Sequence, residues 1–156
     1  MTRMNTKTDS RQQRGFSLVE VMIALVIMSV GMLGIAGLYV QSMQAGRTSM
    51  FRHHAVTLAG DVADRIRANP RAGNAYIAGV GADNSCVAST VVCTPAEMAA
   101  NDILIWNAEA ANTLPNGDVT VVFNGAVTPP TYQITVSWDE PGANPTYTIT
   151  IPVLPI

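Results

Sequence analysis

The sequence predicts an α+β fold, with one long N-terminal helix packed on a small antiparallel sheet and a short second helix. Three observations predict it. An apolar run covers Phe16 to Val40, and the chain then continues without a proline to Ala68. Residues 95–113 have helical spacing behind a cap sequence. From Asp118 onward, apolar residues recur at every second position, which is typical of half-buried strands.

The first element is an apolar segment at residues 16–40. Only Ser17, Glu20 and Ser29 are plainly polar in it. As a helix, its roughly 25 residues span about 37 Å, and a bilayer core needs about 20 residues. A carboxylate inside such a span is costly and usually marks function. We therefore expect a membrane span with a partner for Glu20.

A leader, residues 1–15, precedes this segment. Its charged residues are Arg3, Lys7, Asp9, Arg11 and Arg14. The positive-inside rule then predicts a cytoplasmic leader and an exported C-terminal part. An ordinary signal peptide carries its apolar region before the cleavage site. Here the small residue Gly15 precedes the apolar region, so cleavage after it would leave the apolar anchor attached to the mature chain.

The residues Gly15-Phe16-Ser17-Leu18-Val19-Glu20 resemble the processing signal of type IV prepilins and type II secretion pseudopilins. The resemblance implies cleavage after Gly15 by a prepilin peptidase and methylation of the new amino terminus on Phe16. It also implies that Glu20 pairs with the terminal amine of a neighbouring subunit. Such pairing agrees with the high cost of a buried charge that has no partner. A plain membrane anchor would explain the length, but not Glu20 or the Gly-Phe junction.

Residues 41–69 are predicted to continue the helix as an amphipathic half. One helical face carries Phe51, Ala55, Leu58, Val62 and Ile66. Asp61 and Arg65 form an i,i+4 pair in the favourable order. The helix, which we expect to start at Phe16, should end near Asn69 because Pro70 disfavours helical geometry in the residue before it.

The glycines and the last two arginines of this helix can each be interpreted in two ways. The spacing of Gly31, Gly34 and Gly37 suits close helix packing in lipid, but glycines also make a weak point where a helix can bend or melt. Arg65 and Arg67 suit a solvated helix end, where cations complement the helix dipole, or a contact with another subunit.

The run from Arg65 to Pro70, followed by Tyr76, resembles PilV-type minor pilins, also called type IV pilus modification proteins. The resemblance extends over the first half of the chain and continues at Cys93-Thr94-Pro95-Ala96, Trp106 and Leu114-Pro115-Asn116-Gly117. It implies a type IV pilin-like fold and a place at or near the tip, in a complex that primes pilus assembly.

Residues 70–156 should form a globular head that starts with a loop-like region, 70–94. Cys86 and Cys93 lie in the exported part, where a close pair of cysteines indicates a disulfide. A metal site at these cysteines is disfavoured because His53 and His54 lie far from them in the sequence. Neither a metal nor a cofactor is expected.

The second helix and three strands complete the predicted head. Thr94 and Glu97 make a capping box around Pro95, and Trp106 is interpreted as a core anchor. The inward strand residues are Val119, Val121 and Phe123, then Tyr132, Ile134, Val136 and Trp138, then Tyr147, Ile149, Ile151 and Val153. The amphipathic half of the long helix should cover this apolar face. Pro152 and Pro155 predict that the last strand lies at an edge or frays early.

The sequence predicts a structural protein and no enzyme, since it shows no nucleophile with a base, no metal set and no phosphate loop. No Lys or Arg follows Arg71, which argues against nucleic-acid binding. We expect a minor pilin that supports adhesion and twitching motility, or alternatively a minor pseudopilin of a type II secretion system. Its partners would be other minor and major pilins, the prepilin peptidase and the inner-membrane assembly machinery. The chain would cross the inner membrane once before assembly, with a periplasmic head, and reach the pilus surface afterwards.

Overall fold

The computed structural model describes residues 15–77, 80–88 and 90–153. Its elements are α1 (Leu18–Ala68), a 3-10 helix (Pro70–Tyr76), α2 (Pro95–Thr113), β1 (Asp118–Asn124), β2 (Thr131–Ser137) and β3 (Thr146–Pro152). The predicted fold class is confirmed, with a long first helix, a short second helix and a three-stranded antiparallel sheet. The chain divides into two units, Met1–Gln44 and Ala45–Ile156.

Helix α1 begins two residues later than expected. The carbonyl of Ser17 accepts hydrogen bonds from the backbone N–H groups of Glu20 (3.0 Å) and Val21 (3.3 Å). A residue whose carbonyl accepts the first intrahelical bond stands at the cap of the helix, so the first helical residue is Leu18. Phe16 therefore precedes the helix, and the expectation that it starts the helix is wrong.

In the second unit, α1 buries the face that the sequence predicts. Its buried residues are Ala55, Leu58, Ala59, Val62, Ala63 and Ile66, and Phe51 is half-buried beside them. The helix ends at Ala68, and Asn69 before Pro70 has a non-helical backbone. This ending agrees with the steric effect of a proline on the preceding residue.

Residues 70–76 form a 3-10 helix, so the expectation of a loop over 70–94 is wrong for its first seven residues. The N–H of Ala72 donates to the carbonyl of Asn69 (3.1 Å), and Gly73 has a positive φ of 51° inside the segment. So short a helix has too few residues to show a hydrophobic period, and the glycine suggested irregular structure. The 3-10 helix places Tyr76 in the core, where 2 % of the surface of Tyr76 is exposed.

Helix α2 starts with the predicted capping box. The hydroxyl of Thr94 accepts a hydrogen bond from the backbone N–H of Glu97 (3.3 Å), and the backbone N–H of Thr94 donates to the Glu97 carboxylate (2.8 Å). Pro95 takes the first helical position. The predicted core anchor is confirmed, because Trp106 is 1 % exposed.

The sheet has the order β1-β2-β3, and its inner face joins the buried residues of α1 and α2 in one core. Cα partners align Val121, Ile134 and Ile149 across the three strands. Ile134 and Val136 on the central strand are fully buried. The last strand lies at an edge and ends at Pro152, as the sequence predicts.

Candidate functional site

The described part of the first unit is an apolar helical segment that is exposed on every side. The large apolar side chains from Leu18 to Met43 have exposed fractions between 46 % and 84 %. Helix α1 contains an 18-residue window with a mean hydropathy of 2.5, so by length and composition it could cross a membrane. A surface of this kind needs lipid or other protein to cover it.

Glu20 lies in the first turn of α1, where a carboxylate complements the positive end of the helix dipole. No hydrogen bond or ion pair joins its carboxylate to another residue within the described ranges. Ser29 differs, because its hydroxyl donates to the carbonyl of Val26 on the same helix (2.8 Å). A serine bonded in this way is satisfied even in lipid. Glu20 is thus the polar residue of the span that needs a partner from elsewhere.

Gly31, Gly34 and Gly37 lie on this exposed segment. A Cβ built on any of them meets no atom within 4 Å. Nothing inside the described part of the unit therefore requires glycine at these positions. Both interpretations, close packing against another helix and a weak point in the helix, remain compatible with the structure.

Two family models match the chain in succession. Residues 10–36 match the prokaryotic N-terminal methylation motif, and residues 37–104 match a family described as Type IV pilin Tt1218. Over these residues the chain is similar to a type IV pilin domain that follows a prepilin signal. No curated protein and no solved structure gave a significant match. The family that matches residues 37–104 is one of structural proteins.

The signal match contains Gly15, Phe16 and Glu20. The pilin match runs from the middle of α1 through the 3-10 helix and the cysteine loop into α2. The two matches meet within α1. They support a pilin role at the level of the family, whereas the narrower PilV assignment rests on the sequence resemblance.

In the second unit, Arg65 links α1 to α2. Its Nε donates to Asp61 Oδ2 and its Nη1 donates to Asp102 Oδ1, both at 2.8 Å. The predicted pair between Asp61 and Arg65 is confirmed, but the contact with Asp102 was not predicted. Arg65 is therefore more than a solvated helix end, and its side chain is still 34 % exposed, so a contact with another subunit stays a prediction. Arg67 bonds Asp64 at 2.9 Å on the exposed side of the helix.

Tyr76 completes this cluster from the 3-10 helix. Its ring stacks on Trp106 with centroids 5.7 Å apart, and its hydroxyl donates to Asp102 Oδ2 (3.1 Å). Asn69 Nδ2 donates to the Tyr76 hydroxyl (3.2 Å) and to the carbonyl of Pro95 (2.8 Å). Arg65, Asn69, Tyr76 and Asp102 thus tie three elements together.

The electrostatics of this cluster keep the Tyr76 phenol and the Arg65 guanidinium protonated at neutral pH. Burial raises the pKa of the Tyr76 phenol, so the hydroxyl stays a donor. The hydrogen bond to Asp61 raises the pKa of Arg65, and Asp102 adds to the effect. Sequence reasoning missed Asp102, because it lies 37 positions from Arg65 and meets it only when α1 and α2 pack together.

Cys86 and Cys93 form a disulfide, which confirms the predicted pairing. The segment leading into it lies against α2: the N–H of Ala82 donates to the carbonyl of Ala100 (3.0 Å), and Asn84 Nδ2 donates to the carbonyl of Glu97 (3.0 Å). A Cβ at Gly81 would come within 2.7 Å of the Leu104 backbone, so this close approach requires glycine. The disulfide loop is thereby attached to the first turns of α2.

Metal ligands do not cluster in the part of the chain that the structure describes. Within residues 15–77, 80–88 and 90–153, no three His, Cys, Asp or Glu side chains lie close enough together to hold an ion.

Proposed function

We propose that this chain is a minor pilin of the PilV type that takes part in priming and assembling type IV pili. The observation that carries the proposal is the exposed apolar start of α1, with the Glu20 carboxylate one turn from its beginning and no partner among the described residues. Such a segment suits lateral packing against the N-terminal helices of other pilins. The pilin match over residues 37–104 supports a pilus over the alternative, a type II secretion pseudopilus, which would carry the same kind of signal.

The prepilin signal gives the order of events that we propose. The peptidase removes residues 1–15 by cutting after Gly15, and the amine of Phe16 is then methylated. Residues 16–40 anchor the subunit in the inner membrane and later pack in the filament core, residues 41–69 join this anchor to the head, and residues 70–156 form the head. Glu20 pairs with the amino terminus of an adjacent subunit, which offsets the cost of a carboxylate in an apolar surrounding.

The proposed partners are other minor and major pilins, the prepilin peptidase and the inner-membrane assembly machinery. The head is periplasmic while the subunit waits in the membrane and extracellular once a pilus forms. A place at or near the tip would allow the protein to support adhesion and twitching motility. This role needs only lateral helix contacts and a folded head, and both features are compatible with the described residues.

Intact and peptide mass spectrometry, applied to the membrane fraction and to sheared surface filaments, tests the proposal. We expect a mature chain that begins at methylated Phe16 and is present in the filament fraction. An uncleaved chain confined to the membrane would contradict it. A processed chain that is found only with a secretion system would favour the pseudopilus.

A further inference from the structure

Strand β3 presents an open edge on the described head. The sheet ends with β3, whose only strand neighbour is β2. Trp138 N–H donates to the carbonyl of Pro145 (3.2 Å), and Val153 N–H donates to that of Pro130 (2.7 Å), so these two pairs bound the ladder between β2 and β3. Hydrogen-bonded pairs recur every two residues in an antiparallel ladder.

This alternation separates the two sides of β3. The backbone groups of Tyr147, Ile149 and Ile151 face β2. Those of Thr146, Thr148 and Thr150 face away from the sheet, and their N–H groups bond no other described residue. Pro152 takes the next outward position, where its missing N–H costs no ladder bond.

The core side of β3 is incompletely covered. Tyr147 and Ile149 are only half-buried, whereas Ile134 and Val136 on β2 are fully buried. On the opposite edge strand, Val119 and Val121 of β1 are each 8 % exposed and Phe123 is half-buried, whereas on β3 only Ile151 is buried, with 4 % exposed. An additional strand beside β3 would cover Tyr147 and Ile149 and would also pair the outward N–H and C=O groups.

Apart from Pro152 at its end, β3 lacks the features that usually prevent strand addition. Natural edges carry charges, especially lysine, or prolines and bulges. Thr146 to Ile151 has neither a charge nor a proline, and the pairing with β2 is regular over all seven residues. This stretch therefore suits an uncharged strand, since a charged residue there would find no opposite charge on β3.

We propose that the β3 edge binds an extended, uncharged strand from a different subunit of the same filament, with apolar residues at every second position. The chemistry is that of strand addition, in which main-chain bonds give affinity and alternate side chains give specificity. A second copy of β3 does not fit. Antiparallel pairing of two copies relates the two sheets by a two-fold axis perpendicular to the sheet plane. Residues 45–68 of α1 in the two copies would then run in opposite directions. Subunits that pack their helices side by side need a common direction, so this part of the inference rests on the proposed function.

Photo-cross-linking in living cells tests the inference with the full chain. A photoreactive p-benzoylphenylalanine replaces Thr150, whose side chain is exposed at the open edge, or as a control Gln133, which is exposed on the central strand. Cross-links are mapped by mass spectrometry in membrane and filament fractions separately. We expect position 150 to cross-link to a strand-forming segment of another pilin, and position 133 to give no such product.

Variants at Thr148 identify the backbone as the binding element. Thr148→Pro removes an outward N–H while keeping the ladder to β2. It should lower the yield of the cross-link at position 150 about tenfold, because the added strand loses a hydrogen bond at the edge and its alignment. Thr148→Val keeps the N–H and should leave the yield unchanged. Thr148→Lys keeps the fold but adds an edge charge, so it should also lower the yield if the proline variant does not accumulate.

The outcomes separate this inference from the proposed function. A cross-link to another pilin in the membrane fraction alone, with the chain missing from filaments, would support the open edge and contradict the assembly role. No position-150 product in either fraction, a product only with a second copy of this chain, or equal yields from Thr148→Pro, Thr148→Lys and Thr148→Val would each overturn the inference.

Discussion

The guanidinium of Arg65 donates hydrogen bonds to two carboxylates that differ in burial. The Asp61 side chain is 47 % exposed, whereas that of Asp102 is 10 % exposed. Exposed pairs within one helix contribute little to stability because water screens them and side-chain entropy opposes them. A partly buried carboxylate that also accepts a hydrogen bond from Tyr76 is harder to replace. The two acids should therefore differ in their effect on the free energy of unfolding.

We expect Asp102→Asn to lower the free energy of unfolding of the head by about 1–3 kcal/mol, because it leaves Arg65 and Tyr76 without a charged acceptor. Asp61→Asn is the matched control and should cost less than about 1 kcal/mol. Urea unfolding of the mature full chain in detergent measures both. The fluorescence of Trp106 and Trp138, each nearly buried in the head, reports the transition. Equal losses for the two variants would contradict this ranking.

The residue scale also shows where sequence reasoning stops. It identified the Asp61–Arg65 pair because both partners lie one turn apart on one helix. It missed Asp102, which lies 37 positions from Arg65 in the sequence and meets it only after α1 and α2 pack. No local pattern contains such a contact.

Among the elements, α2 has the best-defined start. The hydrogen bonds from the backbone and side chain of Thr94 lower the pKa of Glu97. A carboxylate with a lowered pKa contributes stability that is complete above its unfolded value, about 4.3, and is lost as the pH falls through the folded value. The cap of α2 should therefore weaken in acid and hold at neutral pH.

This acid sensitivity can be tested with Glu97→Gln. Glutamine can still close a capping box but does not titrate, so the variant should show a shallower loss of stability between about pH 5 and pH 3 than the wild type. Glu109→Gln, an exposed position on the same helix outside the box, should behave as the wild type does. Tryptophan fluorescence during urea unfolding at several pH values provides the measurement. Parallel curves for Glu97→Gln and the wild type would rule out the carboxylate as the source.

The elements differ in how well the sequence predicts them. The helical period of α1, the cap of α2 and the alternation of the strands all act over a few residues, so the fold class and the buried residues Val62, Trp106 and Ile134 followed from local patterns. The 3-10 helix did not, because it has only seven residues and includes a glycine. The open side of β3 also needed the structure, since the strand order decides which edge stays unpaired.

At the scale of the whole molecule, one chain combines a folded head with an apolar segment that is exposed throughout. The head buries its apolar residues in its own core, whereas the segment before it has nothing of its own to bury against among the described residues. In the proposed function, lipid covers that segment before assembly and other helices cover it afterwards. Glu20 should matter only in the second environment, where a neighbouring amino terminus is within reach.

We therefore expect Glu20→Ala to leave the protein abundant in the membrane and to reduce its recovery in sheared filaments severalfold, since an ion pair between subunits would be missing. Glu109→Ala, which removes an exposed acid of the head, should assemble normally. Immunoblots of both fractions give the ratio for each variant. Recovery of the Glu20 variant at the wild-type ratio would count against a pairing role.

All the cationic side chains after the leader lie on α1 and at the start of the 3-10 helix: Arg47, Arg52, Arg65, Arg67 and Arg71. A protease that cuts after lysine or arginine therefore finds no site in the disulfide loop, in α2 or in any strand. Beyond Arg71, a head of this kind offers trypsin-like enzymes no cleavage site. For the same reason, the usual tryptic digest leaves residues 72–156 uncut in one large fragment, so this subunit would be undercounted in surveys of filament composition unless a protease of another specificity is used.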